Sequence, residues 1–116
     1  MKRIVIVEDE PLTRIGILSC LDWTAYGYEI AGQAANGVEA LSVIRDTHPD
    51  IVITDIRMPK MDGLELIKVV KQQFPNMKII VLSCLNEVAY VKTAMKLGAD
   101  DYILKLSIEA DSLLEV

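Results

Sequence analysis

Carboxylate side chains stand directly after two short apolar runs of the sequence. Glu8 and Asp9 follow the run at residues 4–7, and Asp55 closes the stretch that begins with Ile51. Short β-branched runs of this kind are typical of strands that are buried on both faces of a parallel sheet. Open α/β sheets place their ligand sites at the carboxyl ends of such strands. The three acids are therefore predicted to stand at one edge of a sheet.

Two further polar side chains follow later apolar runs. Ser83 comes after residues 78–82, and Lys105 comes after residues 101–104. If the strand order is 2-1-3-4-5, strands one and three are neighbours across the point where the order reverses. The acids on these strands would then converge, and a hydroxyl and an ammonium group would flank them.

Three carboxylates in a small space repel one another. At an effective dielectric near 20, a pair ~4 Å apart costs roughly 4 kcal/mol. A hard dication offsets such a cost, and oxygen-only ligands suit Mg²⁺. This combination is typical of phosphoryl chemistry, in which one carboxylate can act as the nucleophile. Taken singly, Asp9 could be a helix cap and Lys105 a solvated lysine, but that interpretation explains the coincidence poorly.

Segments of helical periodicity separate the apolar runs and define the fold class. The order βαβαβαβαβα predicts right-handed crossovers, a five-stranded parallel sheet and helices on both faces. We expect a flavodoxin-like α/β/α fold, in which the strand order is 2-1-3-4-5. In the first helix, Leu12, Ile15, Leu18 and the pair Ile17/Leu21 predict a wide apolar face. We expect Trp23 to cover the core rather than to contact a ligand.

Length and composition limit the possible functions. The chain has 116 residues, 52% of them hydrophobic, and a net charge of −5. These values predict one domain that does not bind nucleic acid or an anionic membrane through its bulk charge. Two distant cysteines, Cys20 and Cys84, and the lack of any apolar stretch near ~20 residues predict a cytoplasmic protein. His48, the single histidine, is expected at a helix end on the surface.

The sequence resembles the receiver domain of two-component response regulators from residue 2 to at least Ser107. The matching motifs are Val-Glu-Asp-Glu at 7–10, Asp-Ile-Arg-Met-Pro-Lys-Met-Asp-Gly at 55–63, Val-Leu-Ser at 81–83 and Leu-Gly-Ala-Asp-Asp-Tyr-Ile-Leu-Lys at 97–105. The resemblance implies that Asp55 accepts a phosphoryl group from the phosphohistidine of a sensor histidine kinase. It also implies that Asp9, Asp55 and the backbone carbonyl of Arg57 coordinate Mg²⁺, and that Glu8 assists through water.

The same resemblance assigns the remaining site residues and the output surface. Ser83 and Lys105 would bind the phosphoryl oxygens, and Ser83 and Tyr102 would move inward together as a switch pair. The readout face, and the surface of an expected homodimer, would comprise a helix over residues 86–97 that begins at Asn86, the strand Asp101–Leu104 and the last helix. Such a domain phosphorylates and dephosphorylates its own aspartate and is not a multiple-turnover enzyme.

The segment 21–28 also resembles the response regulators that are joined to AraC-type DNA-binding domains. This likeness implies a transcription regulator that contacts DNA only through a separate effector domain. The last helix, which stops at Val116, is short for this fold, so we expect residues 1–116 to be part of a longer protein.

The sequence departs from the family pattern at Leu106, because a proline usually follows the lysine. A cis peptide bond costs ~2.5–4 kcal/mol before a non-proline residue, so we expect a trans bond at this position. This departure leaves open a pseudo-receiver, an interaction module that is never phosphorylated. A Mg²⁺-dependent phosphohydrolase of the haloacid dehalogenase type is a third hypothesis, but it needs an acid where Arg57 stands.

Overall fold

Strands and helices alternate along the chain in the predicted order. A computed structural model describes residues 2–19, 23–58, 60–83 and 87–104. The strands are β1 (Lys2–Val7), β2 (Tyr28–Ala34), β3 (Ile51–Asp55), β4 (Lys78–Ser83) and β5 (Asp101–Leu104). The helices are α1 (Pro11–Ser19), α2 (Gly37–Thr47), α3 (Gly63–Gln73) and α4 (Val88–Leu97), and a 3₁₀ turn spans Thr24–Tyr26. The expectations for Cys20, Cys84, Asn86, Lys105, Leu106 and the last helix concern positions outside the described residues.

The five strands form one parallel sheet in the order β2-β1-β3-β4-β5, which confirms the prediction. β1 lies between β2 and β3, and Val7 is in register with Thr54. The two central strands therefore end side by side. On the outer side, the β1–β2 register shifts, because Ile4 pairs with Ile30 and Val5 pairs with Gly32. Ala31 is thus an extra residue, and β2 contains a bulge at an edge of the sheet.

Successive residues of the strands belong alternately to two separate apolar clusters, one on each face of the sheet. On β1, Val5 and Val7 pack toward α2, α3 and α4, whereas Ile4 and Ile6 pack toward α1. Burial on both faces is the reason that the strands read as continuous apolar runs. Trp23 belongs to the α1 side, is buried, and donates its indole N–H to the carbonyl of Leu18 at 3.1 Å. Its predicted role as a cover of the core is confirmed.

The apolar face predicted for α1 is only partly buried, since Ile17 and Leu18 pack against the core, and Leu21 lies outside the described residues. Ile17 is its buried residue, whereas Leu12 is 83% exposed and Ile15 is 58% exposed. Successive helical residues are about 100° apart, so Ile15 and Ile17 point to nearly opposite sides of the helix. Only one of these sides can face the sheet, and Ile17 occupies it. None of the described helices is long and apolar enough to span a bilayer.

Capping residues define the described helix ends, and α4 begins at Val88, after its N-cap Glu87, rather than at the predicted Asn86. The side chain of Asn36 caps α2, and the side chain of Asp62 caps α3. Gly98 closes α4 in the left-handed region at φ 117°. His48 closes α2 at φ 47° and is exposed, which confirms its expected surface position. Lys60, in the loop before α3, is the other non-glycine residue with positive φ in the described part of the chain, at 66°.

Candidate metal centre

The three predicted acids come together at the carboxyl edge of the sheet. Glu8, Asp9 and Asp55 each offer one carboxylate oxygen, and these atoms all lie within 4.8 Å of one another. Glu8 and Asp55 are buried, and Asp9 is half-buried. The convergence follows from the topology, because β1 and β3 are neighbours and end at the same level. The sequence prediction of an acidic cluster is confirmed.

A close contact between α3 and the end of β3 fixes the position of Asp55. The Oδ1 atom of Asp55 accepts a hydrogen bond from the backbone N–H of Ile56 at 2.8 Å. The N–H of Gly63 in turn donates to the carbonyl of Ile56 at 2.6 Å. A Cβ at Gly63 would lie only 2.3 Å from the carbonyl oxygen of Asp55. The loop between them folds back over the strand end, and only glycine permits this approach.

Helix α1 holds the loop that carries Glu8 and Asp9. Arg14 donates from its guanidinium to the carbonyl of Glu8 at 2.7 Å, and the N–H of Glu8 donates to Ala34 of β2 at 3.0 Å. Arg14 was not among the predicted site residues. A cation in the first turn of a helix is unfavourable for the helix dipole, and this signal could have drawn attention to it.

Ser83 presents a buried hydroxyl at the end of β4. Its side chain is fully buried, and its Oγ has no hydrogen-bond partner within the part of the chain that the structure describes. A buried hydroxyl that lacks a partner costs about 1–3 kcal/mol. Donation to a ligand oxygen would recover this cost. Ser83 stands on the strand beside β3, in which Asp55 pairs with Leu82.

Tyr102 is exposed to solvent in this structure. It is 48% exposed on β5, where its backbone pairs with Val81 rather than with Ser83. The predicted concerted movement of Ser83 and Tyr102 therefore stays a prediction. The roles expected of Lys105 and Leu106 concern positions outside the described residues.

A cavity of about 320 Å³ adjoins the acidic cluster. It is lined by Asp9, Arg57, Met58, Asp62 and Tyr90. Tyr90 was not among the predicted site residues, and Arg57 was predicted to contribute its backbone carbonyl to the metal site. The signal for Tyr90 was an aromatic residue in the first turn of the helix that follows Ser83.

The donor set of the cluster fits a hard divalent cation. Each ligand atom is a carboxylate oxygen, and neither nitrogen nor sulfur is present in the cluster. Oxygen-only sets suit Mg²⁺, Ca²⁺ or Mn²⁺ rather than Zn²⁺ or copper. A cation would also relieve the mutual repulsion of the three charges.

Comparison with known proteins agrees with this geometry. The family model described as "Response regulator receiver domain" matches residues 4–116. The chemotaxis protein CheY of Thermotoga maritima is 43% identical over 104 residues, which are 90% of this chain and 85% of that protein. The transcriptional regulatory protein YesN of Bacillus subtilis, described as uncharacterized, is 44% identical over 105 residues, 90% of this chain.

The chain spans 28% of the length of YesN and 48% of that of a second transcriptional regulatory protein of B. subtilis, YhcZ. Among solved structures, the REC domain of AraT, a response regulator from Geobacillus stearothermophilus, superimposes with a TM-score of 0.83 and 30% identity. That superposition covers 98% of this chain and 97% of the other. The chain belongs to the family of response regulator receiver domains, whose members include transcriptional regulators.

Proposed function

We propose that this receiver domain is a phosphorylation switch and that Asp55 is its phosphoacceptor. The observation that carries the proposal is the position of Asp55. Its carboxylate is buried at the end of a central strand, within 4.8 Å of those of Glu8 and Asp9. A carboxylate so placed is an oriented nucleophile beside a site for a cation.

In the proposed reaction, a carboxylate oxygen of Asp55 attacks the phosphorus of a phosphohistidine on a sensor histidine kinase. The phosphorus–nitrogen bond breaks, and the imidazole leaves with its electron pair. The hydrogen bond from the N–H of Ile56 to Oδ1 orients the carboxylate for this attack. The domain transfers the group to itself, so we do not expect multiple turnover of unrelated phosphate esters.

The residues that would hold Mg²⁺ are Glu8, Asp9, Asp55 and, through its backbone carbonyl, Arg57. When bound, the cation neutralises negative charge on the acids and on the transferred group. The hydroxyl of Ser83 would donate to a phosphoryl oxygen. For Lys105, the family resemblance supports the same role.

The proposed output is a change at α4 and β5, and at a last helix. Ser83 would bind the phosphoryl oxygens, and Tyr102, now exposed on β5, would turn inward. Shifting such a switch from 1:99 to 99:1 needs roughly 5.5 kcal/mol of differential stabilisation. A homodimer through this face, and contact with DNA through an effector domain, are further parts of the proposal. The contact with DNA is supported by the relatives that are named as transcriptional regulators.

The test is the mass of the intact protein after incubation with acetyl phosphate and Mg²⁺. We expect one phosphoryl adduct, which is absent when Mg²⁺ is chelated and absent in Asp55→Asn. Asp46→Asn, which alters an exposed carboxylate on α2, is the matched control and should retain the adduct. No adduct together with no Mg²⁺ affinity would support the pseudo-receiver instead, and rapid turnover of phosphate esters would support a hydrolase.

A further inference from the structure

A contact between Arg57 and Tyr90 links the loop after β3 to the first turn of α4. The guanidinium carbon of Arg57 lies 5.7 Å from the centroid of the Tyr90 ring. Within the described residues, this guanidinium has no hydrogen bond and no ion pair. The proposed function uses only the backbone carbonyl of Arg57, so it leaves this side-chain contact unexplained.

The contact stands beside the place where a phosphoryl group would form. Arg57 and Tyr90 line the same cavity as Asp9, whose carboxylate lies within 4.8 Å of that of Asp55. Arg57 also follows Asp55 by two residues in the chain. Arg57 thus lines the cavity beside the carboxylates at which the phosphoryl oxygens would lie.

The two possible partners of the guanidinium differ in strength. A cation–π contact at an exposed site favours the paired state by a factor of about two to five. A hydrogen bond between arginine and a phosphoryl oxygen is assisted by charge on both groups, is frequently bidentate, and is roughly twice as strong as a neutral one. A phosphoryl group on Asp55 would thus compete successfully with the ring.

The described residues at the start of α4 differ in burial. Glu87, the N-cap residue, is buried and has a partner, whereas Val88 is 60% exposed and Tyr90 is 42% exposed, and the N-terminus has no side-chain capping hydrogen bond. The ring contact adds to what joins this turn to the loop that follows Asp55.

We propose that Arg57 is a second switch residue that rests on Tyr90 of α4 before phosphorylation and binds the phosphoryl oxygens afterwards. The exchange breaks the link to α4, so the helix responds to Asp55 independently of Ser83 and Tyr102. This inference rests on the proposed phosphorylation of Asp55.

The first test is NMR of the Nε–Hε group of Arg57, assigned by its loss in Arg57→Gln. The four arginines of the chain keep this region of the spectrum simple. In the free protein, Tyr90→Leu should move this resonance downfield, because the ring current of Tyr90 is removed. Tyr26→Leu, which alters an exposed tyrosine of the 3₁₀ turn, should not move it. With Mg²⁺ and beryllofluoride, an analogue of the phosphoryl group, the resonance should become insensitive to Tyr90→Leu.

The second test is the affinity for beryllofluoride in the presence of Mg²⁺. Tyr90→Leu removes the competing partner of Arg57, so affinity should rise about twofold to fivefold. Tyr90→Phe keeps the ring and should retain the affinity of the unmodified protein. In Arg57→Gln, the further change Tyr90→Leu should have no effect, because the two residues act through each other.

The outcomes separate this inference from the function on which it rests. If the unmodified protein neither binds beryllofluoride nor forms an adduct at Asp55, both are overturned. If it does either, the inference alone fails when the Arg57 resonance stays sensitive to Tyr90 in the bound state. It also fails when Tyr90→Leu leaves the affinity unchanged or lowers it.

Discussion

Asp9→Asn should make the metal-free protein more stable and, at the same time, less responsive to Mg²⁺. Asp9 contributes one of three carboxylates whose oxygens lie within 4.8 Å of one another. Asparagine keeps the shape of the side chain and removes its charge. The substitution therefore tests the repulsion that makes this cluster a cation site.

The magnitude follows from the separation of the charges. At about 4.8 Å, two like charges repel by about 3.5 kcal/mol at an effective dielectric near 20, and by about 0.9 kcal/mol at that of water. Asp9 is half-buried, so an intermediate value applies. The substitution also removes a favourable interaction, because Asp9 precedes the N-terminus of α1, where a negative charge stabilises the helix by about 0.3–1 kcal/mol. This loss offsets part of the stabilisation that comes from relieving the repulsion. We expect a net stabilisation of about 1–2 kcal/mol.

Urea unfolding with EDTA and with Mg²⁺ measures both effects. In EDTA, Asp9→Asn should raise the free energy of unfolding by about 1–2 kcal/mol. In the unmodified protein, Mg²⁺ at ten times its Kd should add about 1.4 kcal/mol. In Asp9→Asn, the same Mg²⁺ concentration should add much less, because one ligand is weakened.

Asp46→Asn is the control for the change in net charge, since it alters the total from −5 to −4 in the same way. It should shift stability by only a few tenths of a kcal/mol, and its response to Mg²⁺ should match that of the unmodified protein. The reasoning is refuted if Asp9→Asn is less stable than the unmodified protein in EDTA. Equal stabilisation of both by Mg²⁺ would refute it as well.

Three further substitutions test the supports of the site and of the fold. Gly63→Ala should lower the free energy of unfolding by about 2–4 kcal/mol and weaken Mg²⁺ binding, because its Cβ would lie 2.3 Å from the carbonyl oxygen of Asp55. Lys60→Gly should raise the free energy of unfolding by about 0.5–1 kcal/mol, and with it the urea midpoint, because glycine adopts the positive φ of 66° without strain. Asp100→Ala should cost about 1–3 kcal/mol, because the N–H of Ile79 loses its acceptor at 2.8 Å.

Each of these variants has a matched comparison. Gly16→Ala adds the same methyl group at a glycine with nothing within 4 Å, and it should not reduce stability. Lys68→Gly, on the exposed side of α3, should destabilise the protein, in contrast to Lys60→Gly. Asp100→Asn retains an acceptor and should recover much of the loss. A stability of Gly63→Ala equal to that of Gly16→Ala would contradict the packing argument.

The sequence was sufficient to predict the sheet, the strand order and the acidic cluster, because these depend on short-range signals. Continuous apolar runs indicate strands that are buried on both faces of the sheet. Because helices alternate with these strands, few sheet topologies are possible. Glu8 and Asp55 end neighbouring strands, so their convergence follows from the strand order alone.

Features that depend on the rotation of a helix or the direction of a side chain were not predictable in the same way. The spacing of the apolar residues in α1 suits a wide apolar face, but the sheet accepts only the side that carries Ile17, and Leu12 and Ile15 are exposed. Arg14 and Tyr90 act across tertiary contacts that no local pattern specifies.

The bulge at Ala31 has a consequence for how molecules of this protein meet one another. β2 is an outer strand of the sheet. The backbone donors and acceptors on its outer side could form hydrogen bonds with a strand of another chain. Pairing with a further strand requires that the backbone hydrogen-bonding groups of β2 alternate regularly every two residues. The extra residue at Ala31 interrupts this alternation in the middle of the strand. An incoming strand in register with Ile30 is therefore out of register with Gly32. The bulge thus disfavours edge-to-edge pairing of two copies of this domain through β2.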